Sequence, residues 1–257
     1  MAKLSKEFVD GCLKLADDDR SKLTEMERTM PGDCSSKLRS FLNNIVSKEN
    51  TKYLEIGLFR GSSFIPAMYG NLKTKAVGVD NWMYDRTEPR KIPPKGFIWD
   101  NVKSGFEDNL GRYSKSDMTL IDKNNITILE EDFNTIKWAT QPKFDVINFD
   151  IQPMKENDID SLFDKVLRHA TANEFVLIIN RYSLQEVEDW TLKLLEKYKT
   201  TFNNDWQLRR ISSSTSDTYN YFSGIGVFGM SKKVTSQTPK ATATPATLTK
   251  KGTPQSA

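Results

Sequence analysis

Lys52-Tyr53-Leu54-Glu55-Ile56-Gly57-Leu58-Phe59-Arg60-Gly61-Ser62-Ser63 is the stretch whose reading decides the fold. A short apolar run breaks into glycine at Gly57 and again at Gly61, the pattern of a strand entering a tight turn and then a helix. Gly57 has access to backbone angles closed to other residues, and without a side chain it lets the main chain come close to a ligand. Gly61, Ser62 and Ser63 then open a helix whose first N–H groups and capping hydroxyls face the same crevice. Glycine-rich strand-to-helix turns are where doubly wound α/β sheets bind nucleotide-like ligands. The spacing Gly-x-x-x-Gly satisfies neither the dinucleotide fingerprint nor a P-loop.

Outward from this turn the chain alternates between the two structural periods. Upstream, Leu4, Phe8, Val9, Cys12, Leu13 and Leu15 make an amphipathic helix over residues 4–19, and Met30-Pro31-Gly32-Asp33 marks a turn. Ser35 or Ser36 then caps a helix running to about residue 47 with Leu38, Phe41, Leu42 and Ile45 inward. Downstream, residues 63–72 read as a helix, and strands are expected at 75–80, 126–129, 144–150 and 175–179. Helices are expected at 99–110, 158–170 and 184–197, and residues 206–212 and 221–230 read as two strands joined by a Ser/Thr-rich turn. The alternation predicts a doubly wound, mostly parallel seven-stranded sheet with an antiparallel C-terminal hairpin. Residues 1–34 form a covering helix and 35–230 the main domain. Residues 81–113, rich in Trp82, Tyr84, Trp99 and proline, are an insertion placed to act as a lid or substrate-selecting element.

Two features of the opening stretch go together with the next strand. Glu55 stands two residues before Gly57, and Ala76-Val77-Gly78-Val79-Asp80 ends on an acid. This pair resembles the first two motifs of the class I S-adenosylmethionine-dependent methyltransferases, and the element order is similar to that family's from about residue 36 to 230. The resemblance implies a Rossmann-like fold with S-adenosylmethionine as cofactor. It implies that Glu55, Gly57, Phe59, Gly61 and Ser63 hold the methionine part, that Asp80 with Asn81 binds the ribose, and that Asp132 and Phe133 border the adenine.

In open α/β sheets ligands lie beyond the carboxyl ends of the strands, which gathers Glu55, Asp80, Asp132 and Asp150 around one crevice. Methyl transfer to a hydroxyl needs alignment and a base, and Asp150, with Tyr182 as a second candidate, is placed for that task. Phe149-Asp150-Ile151-Gln152-Pro153 and Ile179-Asn180-Arg181-Tyr182 resemble motifs of sugar and small-molecule O-methyltransferases. Gln152, Pro153 and the Asn180-Arg181 pair depart from those motifs where metal-binding acids and a histidine would stand. A magnesium ion held by Asp150 and Asn180 is admitted but not favoured, since two oxygen ligands beside an arginine make a poor cation site. Trp82, Tyr84 and Arg181 are expected to meet the acceptor. The single histidine, His169, is expected at a surface or helix end and not in catalysis. The expected activity is O-methyl transfer to a sugar or glycan hydroxyl. The alternatives are a nucleic-acid methyltransferase and a binding module that kept the fold without catalysis.

Composition narrows the partners. Net charge is +3, but the five lysines from Ser231 onward have no acid among them, and removing them leaves −2 for the rest. That argues against a large nucleic-acid footprint. Cys12 and Cys34 are too few for a disulfide framework and are expected as free thiols. No apolar run spans a bilayer and no secretory signal is seen, so an intracellular, cytoplasmic protein without a membrane partner is expected. Residues 231–257, rich in Thr, Pro, Ala and Lys, read as a disordered basic tail. Deleting residues 234–257 is therefore expected to leave the melting temperature and cofactor affinity unchanged, since almost no apolar surface is removed. A fall of several degrees in a thermal melt would show that the tail is docked.

Overall fold

In the computed structural model, residues 4–32, 34–82, 102–114, 120–150, 160–161, 163–210 and 224–233 are described. Seven strands form one sheet: β1 (Lys52–Ile56), β2 (Lys75–Val79), β3 (Ile126–Leu129), β4 (Phe144–Phe149), β5 (Thr171–Asn180), β6 (Phe202–Arg210) and β7 (Ile225–Lys232), in the order β3-β2-β1-β4-β5-β7-β6. The first five run parallel, and β7 pairs antiparallel with both β5 and β6. The sheet expected from the sequence is thus the one observed. Strand order reverses at β1, so the crevice beyond β1 and β4 is the switch point at which such sheets take ligands.

Side chains of a strand alternate between faces, and the two faces of this sheet bury two different clusters. Tyr53, Val146, Val176, Ile178, Ile225 and Val227 pack beneath the N-terminal helices α1 (Lys6–Asp17) and α3 (Ser36–Ile45). Leu54, Ile56, Ile147, Phe149, Leu177, Ile179 and Phe228 face the other layer, with Val166, Leu167 and Leu194. Ser5 caps α1 by accepting from Phe8 N, and Ser35 caps α3 by accepting from Leu38 N at 3.1 Å. Between them the short α2 (Glu25–Arg28) carries a full capping box of Thr24 and Glu27. Each of these satisfies backbone donors that would otherwise be orphaned at a helix start.

Several boundaries differ from expectation for identifiable reasons. The helix after the glycine turn, α4, is only Phe64–Met68, because Gly70 takes a left-handed φ of 69° and ends it two residues later. Helix α5 is described over Val102–Ser114, four residues beyond its expected end at 110; residues 99–101 lie outside the described residues. The region expected as a regular helix over 158–170 shows, among its described residues, a π-type turn at Phe163–Leu167 followed by one helical turn, Arg168–Ala170. β5 begins at Thr171, and β6 begins at Phe202, four residues early. Its Asn203, Asn204 and Asp205 are polar, which an edge strand tolerates, and the ladder with β7 shifts between Asn204 and Trp206. Helix α6 (Gln185–Lys197) lies where it was expected. Tyr84, most of the 81–113 insertion, the 212–218 turn and the tail from Val234 fall outside the described residues. No described helix is long and apolar enough to cross a membrane.

β7 is pressed between its neighbours. At Gly229 a Cβ would overlap the Trp206 indole, and at Gly226 it would stand 2.8 Å from the Tyr182 ring. Gly229→Ala is expected to destabilise the fold by about 1–3 kcal/mol through overpacking. A shift of the urea midpoint with an unchanged m-value would register it, and an unchanged midpoint would show that Trp206 moves aside freely.

Candidate functional site

The parity of the sheet builds the site. Glu55 pairs in register with Asn148, and Phe149 with Ile179. Tyr53 and Val146 lie on the α1/α3 face, so Glu55, Asn148 and Asp150 do too, and Asn180, one step beyond Ile179, stands next to Asp150 on that face. Asp80 shares it by the same count, since Ala76 packs in that cluster and Val77 and Val79 in the other.

Glu55 is fully buried. Its Oε1 accepts from the Ser63 hydroxyl at 2.5 Å, and its Oε2 accepts from the Tyr53 hydroxyl and from Asn148 Nδ2, the latter at 3.2 Å. The carboxyl thus ties β1, the glycine turn and β4 together from behind. This corrects the expectation that Glu55 and Ser63 line the crevice directly. Burial pushes the Glu55 carboxyl up to about 7, opposed by the hydrogen bonds from Ser63 and Tyr53 and reinforced by the charge of Asp150.

Asp80 organises the front of the turn. Its Oδ2 accepts from the backbone N–H groups of Leu58 and Phe59, each at 2.9 Å, and its Oδ1 accepts from Trp82 N at 2.7 Å. Gly57 and Gly61 take φ of 93° and 76°, which only glycine adopts at low cost. Phe59, Trp82 and Arg181 are non-glycine residues at φ of 50°, 55° and 60°, and they follow the ends of β1, β2 and β5. Such conformations cost roughly 1–3 kcal/mol each and persist where surrounding contacts impose them. For Phe59 and Trp82 the Asp80 carboxylate is that contact.

Helix α5 forms a wall of the turn. Phe106 packs on Phe64 and Trp82, with ring centroids 6.3 and 5.4 Å apart, and Asn109 Nδ2 donates to Arg60 O at 3.0 Å. Trp82, expected to meet the acceptor, is partly buried in this aromatic cluster. From the N-terminal side, the buried Arg39 donates from Nε to Ser62 O at 2.9 Å, and a Cβ at Gly32 would overlap Ser62. Cys34 lies within the electrostatic reach of Arg39, Asp150 and Glu55, and burial pushes its thiol up to about 12, so it is protonated at neutral pH.

At the ends of β4 and β5, Arg181 Nε stands 3.7 Å from Asp150 Oδ1, and each side chain is 15% exposed. Neither the Oδ1 nor the Nδ2 of Asn180 has a hydrogen-bond partner among the described residues, although the residue is 7% exposed; Asn148 Oδ1 is likewise buried without one. An unmet buried polar group costs about 1–3 kcal/mol, so such groups mark a place where something else is bound or where strain is kept for function.

Tyr182 is not brought to this group. Its ring is fully buried against Phe228 in the opposite layer, and its hydroxyl accepts from Gln207 Nε2 at 3.3 Å. Burial also raises its phenol further from the range of a base, so the expectation of Tyr182 as a catalytic group is corrected. Asp132 is exposed and closes its own turn by accepting from Asn134 N at 2.7 Å, and Phe133 is half-buried against the opposite cluster. Asn81 is exposed beside Asp80, and His169 is exposed, its backbone oxygen accepting from Lys143 Nζ. The described residues hold no cluster of three metal-ligating side chains, and the Arg181 charge opposes a cation at Asp150 and Asn180. Tyr53, Cys34, Arg39 and Asn148 were missed. Only Asn148 carried a signal, an amide within the apolar stretch Val146–Phe149, two residues from Asp150.

No protein-family model matches the chain, and no curated protein matches it by sequence. Solved structures do. An S-adenosylhomocysteine-bound methyltransferase of Podospora anserina aligns over 91% of this chain and 99% of its own, at 12% identity and a TM-score of 0.54. A Pyrococcus horikoshii protein, described as a candidate RNA methyltransferase, aligns over 89% of this chain and 98% of its own, at 11% identity and a TM-score of 0.50. At such identities the likeness shows the fold, which is the Rossmann-like methyltransferase fold.

The buried Glu55 carboxyl gives a pH signature. Its folded value, about 7, lies above the ordinary 4.5. The folded chain therefore holds a proton that the unfolded chain loses first, and stability falls as pH rises from 4.5 to about 7, by roughly 3 kcal/mol across the window. Glu55→Gln carries no such proton. The urea midpoints of wild type and variant are expected to diverge over that range in favour of the variant, and parallel pH profiles would place the carboxyl in contact with water.

Proposed function

We propose that this chain is an S-adenosylmethionine-dependent O-methyltransferase acting on a hydroxyl of a sugar or a similar small molecule. The observation that carries it is Asp150 at the end of β4, on the sheet face that also presents the Asp80-organised turn, beside Arg181 and the unpaired Asn180. The residues fit the cofactor. The turn from Gly57 to Gly61 offers close backbone approach, Asn148 Oδ1 is a buried unpaired acceptor suited to an ammonium, and Arg39 beside Ser62 supplies a cation for a carboxylate. In this reading Asp80 with Asn81 takes the ribose, and the exposed Asp132 with Phe133 borders the base, as the family resemblance implies. The cofactor supplies an electrophilic methyl group on a sulfonium. For its part, the chain orients the acceptor, and Asp150 takes the hydroxyl proton on a carboxylate oxygen. Arg181, 3.7 Å away, holds that carboxylate in place by its charge.

Calorimetry with S-adenosylhomocysteine tests the cofactor assignment. Wild type is expected to bind on the micromolar scale. Asp150→Asn is expected to bind it equally and to lose turnover by about a hundredfold or more, the usual scale for loss of a general base. Turnover is expected to persist in the presence of a chelator. Absence of binding by wild type would overturn the cofactor, full turnover by Asp150→Asn would move the base elsewhere, and chelator-sensitive turnover restored by magnesium would overturn metal-independent chemistry.

A further inference from the structure

Asn180 raises a question that O-methyl transfer alone leaves open. The transfer needs a base and an aligned hydroxyl, and Asp150 with Arg181 serves that need. It does not need a carboxamide beside them whose two polar atoms, with four hydrogen-bonding positions between them, go unused among the described residues. Asn180 is 7% exposed, and both its polar atoms lack a partner among the described residues. Its neighbours account for its placement but do not satisfy it. Ile225 of β7 stands opposite in the ladder, and the ion pair of Asp150 and Arg181 flanks it. A strand that ended in an apolar residue here would fold with no buried group unmet.

We infer that Asn180 reads a second, non-reacting hydroxyl adjacent to the one that is methylated, so that the acceptor is a neutral vicinal diol. The carboxamide suits this ligand in particular. Its Nδ2 donates and its Oδ1 accepts, and a hydroxyl does both, so one hydroxyl satisfies one atom and a neighbouring group the other. Among the described residues the ion pair beside it is balanced, one carboxylate against one guanidinium at 3.7 Å, which favours a neutral ligand over a phosphate or carboxylate. A buried site built to bond a hydroxyl rejects the analogue lacking it far more strongly than an apolar pocket rejects a missing methylene, because the protein group is then left unpaired. Specificity for the diol therefore resides in Asn180, while Asp150 acts on the reacting oxygen. The inference rests on the O-methyltransferase reading above.

The experiment uses the full chain, S-adenosylmethionine carrying a labelled methyl group, and a panel of probes. These are methyl glycosides of glucose, galactose, mannose, rhamnose and fucose, their monodeoxy analogues, and two diols that are not sugars, catechol and cis-cyclohexane-1,2-diol. Wild type is expected to methylate at least one glycoside, and removal of the hydroxyl beside the methylated one is expected to lower kcat/KM by about a hundredfold or more. Asn180→Ala and Asn180→Leu are expected to raise KM for that glycoside steeply and to make the deoxy analogue no worse than its parent. Binding of S-adenosylhomocysteine should be unchanged in both variants, and their melting temperatures should not fall, which separates recognition from a structural role. Methylation of the non-sugar diols alone, still dependent on Asn180, would support the diol and overturn the sugar. Equal use of parent and deoxy glycoside by wild type, or turnover insensitive to both Asn180 variants, would overturn the inference and leave the sugar reading standing. If wild type binds S-adenosylhomocysteine but methylates no diol, the inference falls; if it binds none, the reading beneath it has failed first.

Discussion

A carboxyl group taken wholly out of water needs partners, and the site is arranged around meeting that need for Glu55. Its two oxygens draw hydroxyls from Tyr53 and Ser63 and an amide from Asn148, so a strand, the turn that follows it and the neighbouring strand are bonded to one group. The glycine turn is thereby fixed from behind, while Asp80 fixes it from the front through backbone amides. Bonds of this kind to a charged or polarised acceptor are among the stronger ones in proteins. They allow Phe59 and Trp82 to remain at left-handed angles that neither would choose in isolation. The rigid turn is a consequence of carboxylates at two strand ends and not of the glycines alone.

This division of labour alters what an acid at a strand end means. Glu55, Asp80, Asp132 and Asp150 look equivalent in the sequence, each close behind an apolar run. In the structure Glu55 is enclosed, Asp80 holds backbone, Asp132 closes its own turn, and Asp150 lies against Arg181 at the rim. Under the proposed function the chemistry falls to that last acid, and the others build the frame around it.

Strands were legible because buried parallel strands are short, largely apolar runs, as in Ala76–Val79, Phe175–Ile179 and, with Asp145 and Asn148 interspersed, Phe144–Phe149. The helical character after Phe163 was legible, but its π-type turn was not, since such a turn preserves helical composition while changing the ladder. The shortness of α4 was foreshadowed by Gly70. Within the site, period-two counting recovers Glu55, Asn148, Asp150 and Asn180 on one face, and it fails at Tyr182. Counting from Asn180 places Tyr182 on that same face, but Arg181 turns left-handed at φ 60° and swings the next residue into the opposite layer. A single dihedral angle, invisible in composition, decides whether that phenol meets the crevice. Cys34 and Arg39 were illegible for a different reason, as they reach the site through packing between layers and not through any local pattern.

The sheet order also has a bearing on how the chain reaches this state. β7 is the last of the described strands in sequence, yet it lies inside the sheet between β5 and β6. During synthesis β5 emerges with Phe175, Val176, Leu177, Ile178 and Ile179 lined along an open edge, and about fifty further residues must appear before β7 covers it. β6 meanwhile has no partner of its own. The closing step is one of insertion at long sequence separation, the slow class of contact. Until then, the chain carries an apolar edge of the kind that recruits foreign strands. Polar and charged residues at the outer edge, from Asn203 to Asp205 and again at Gln207 and Arg209, protect the finished sheet, but the interior edge is protected only by completion.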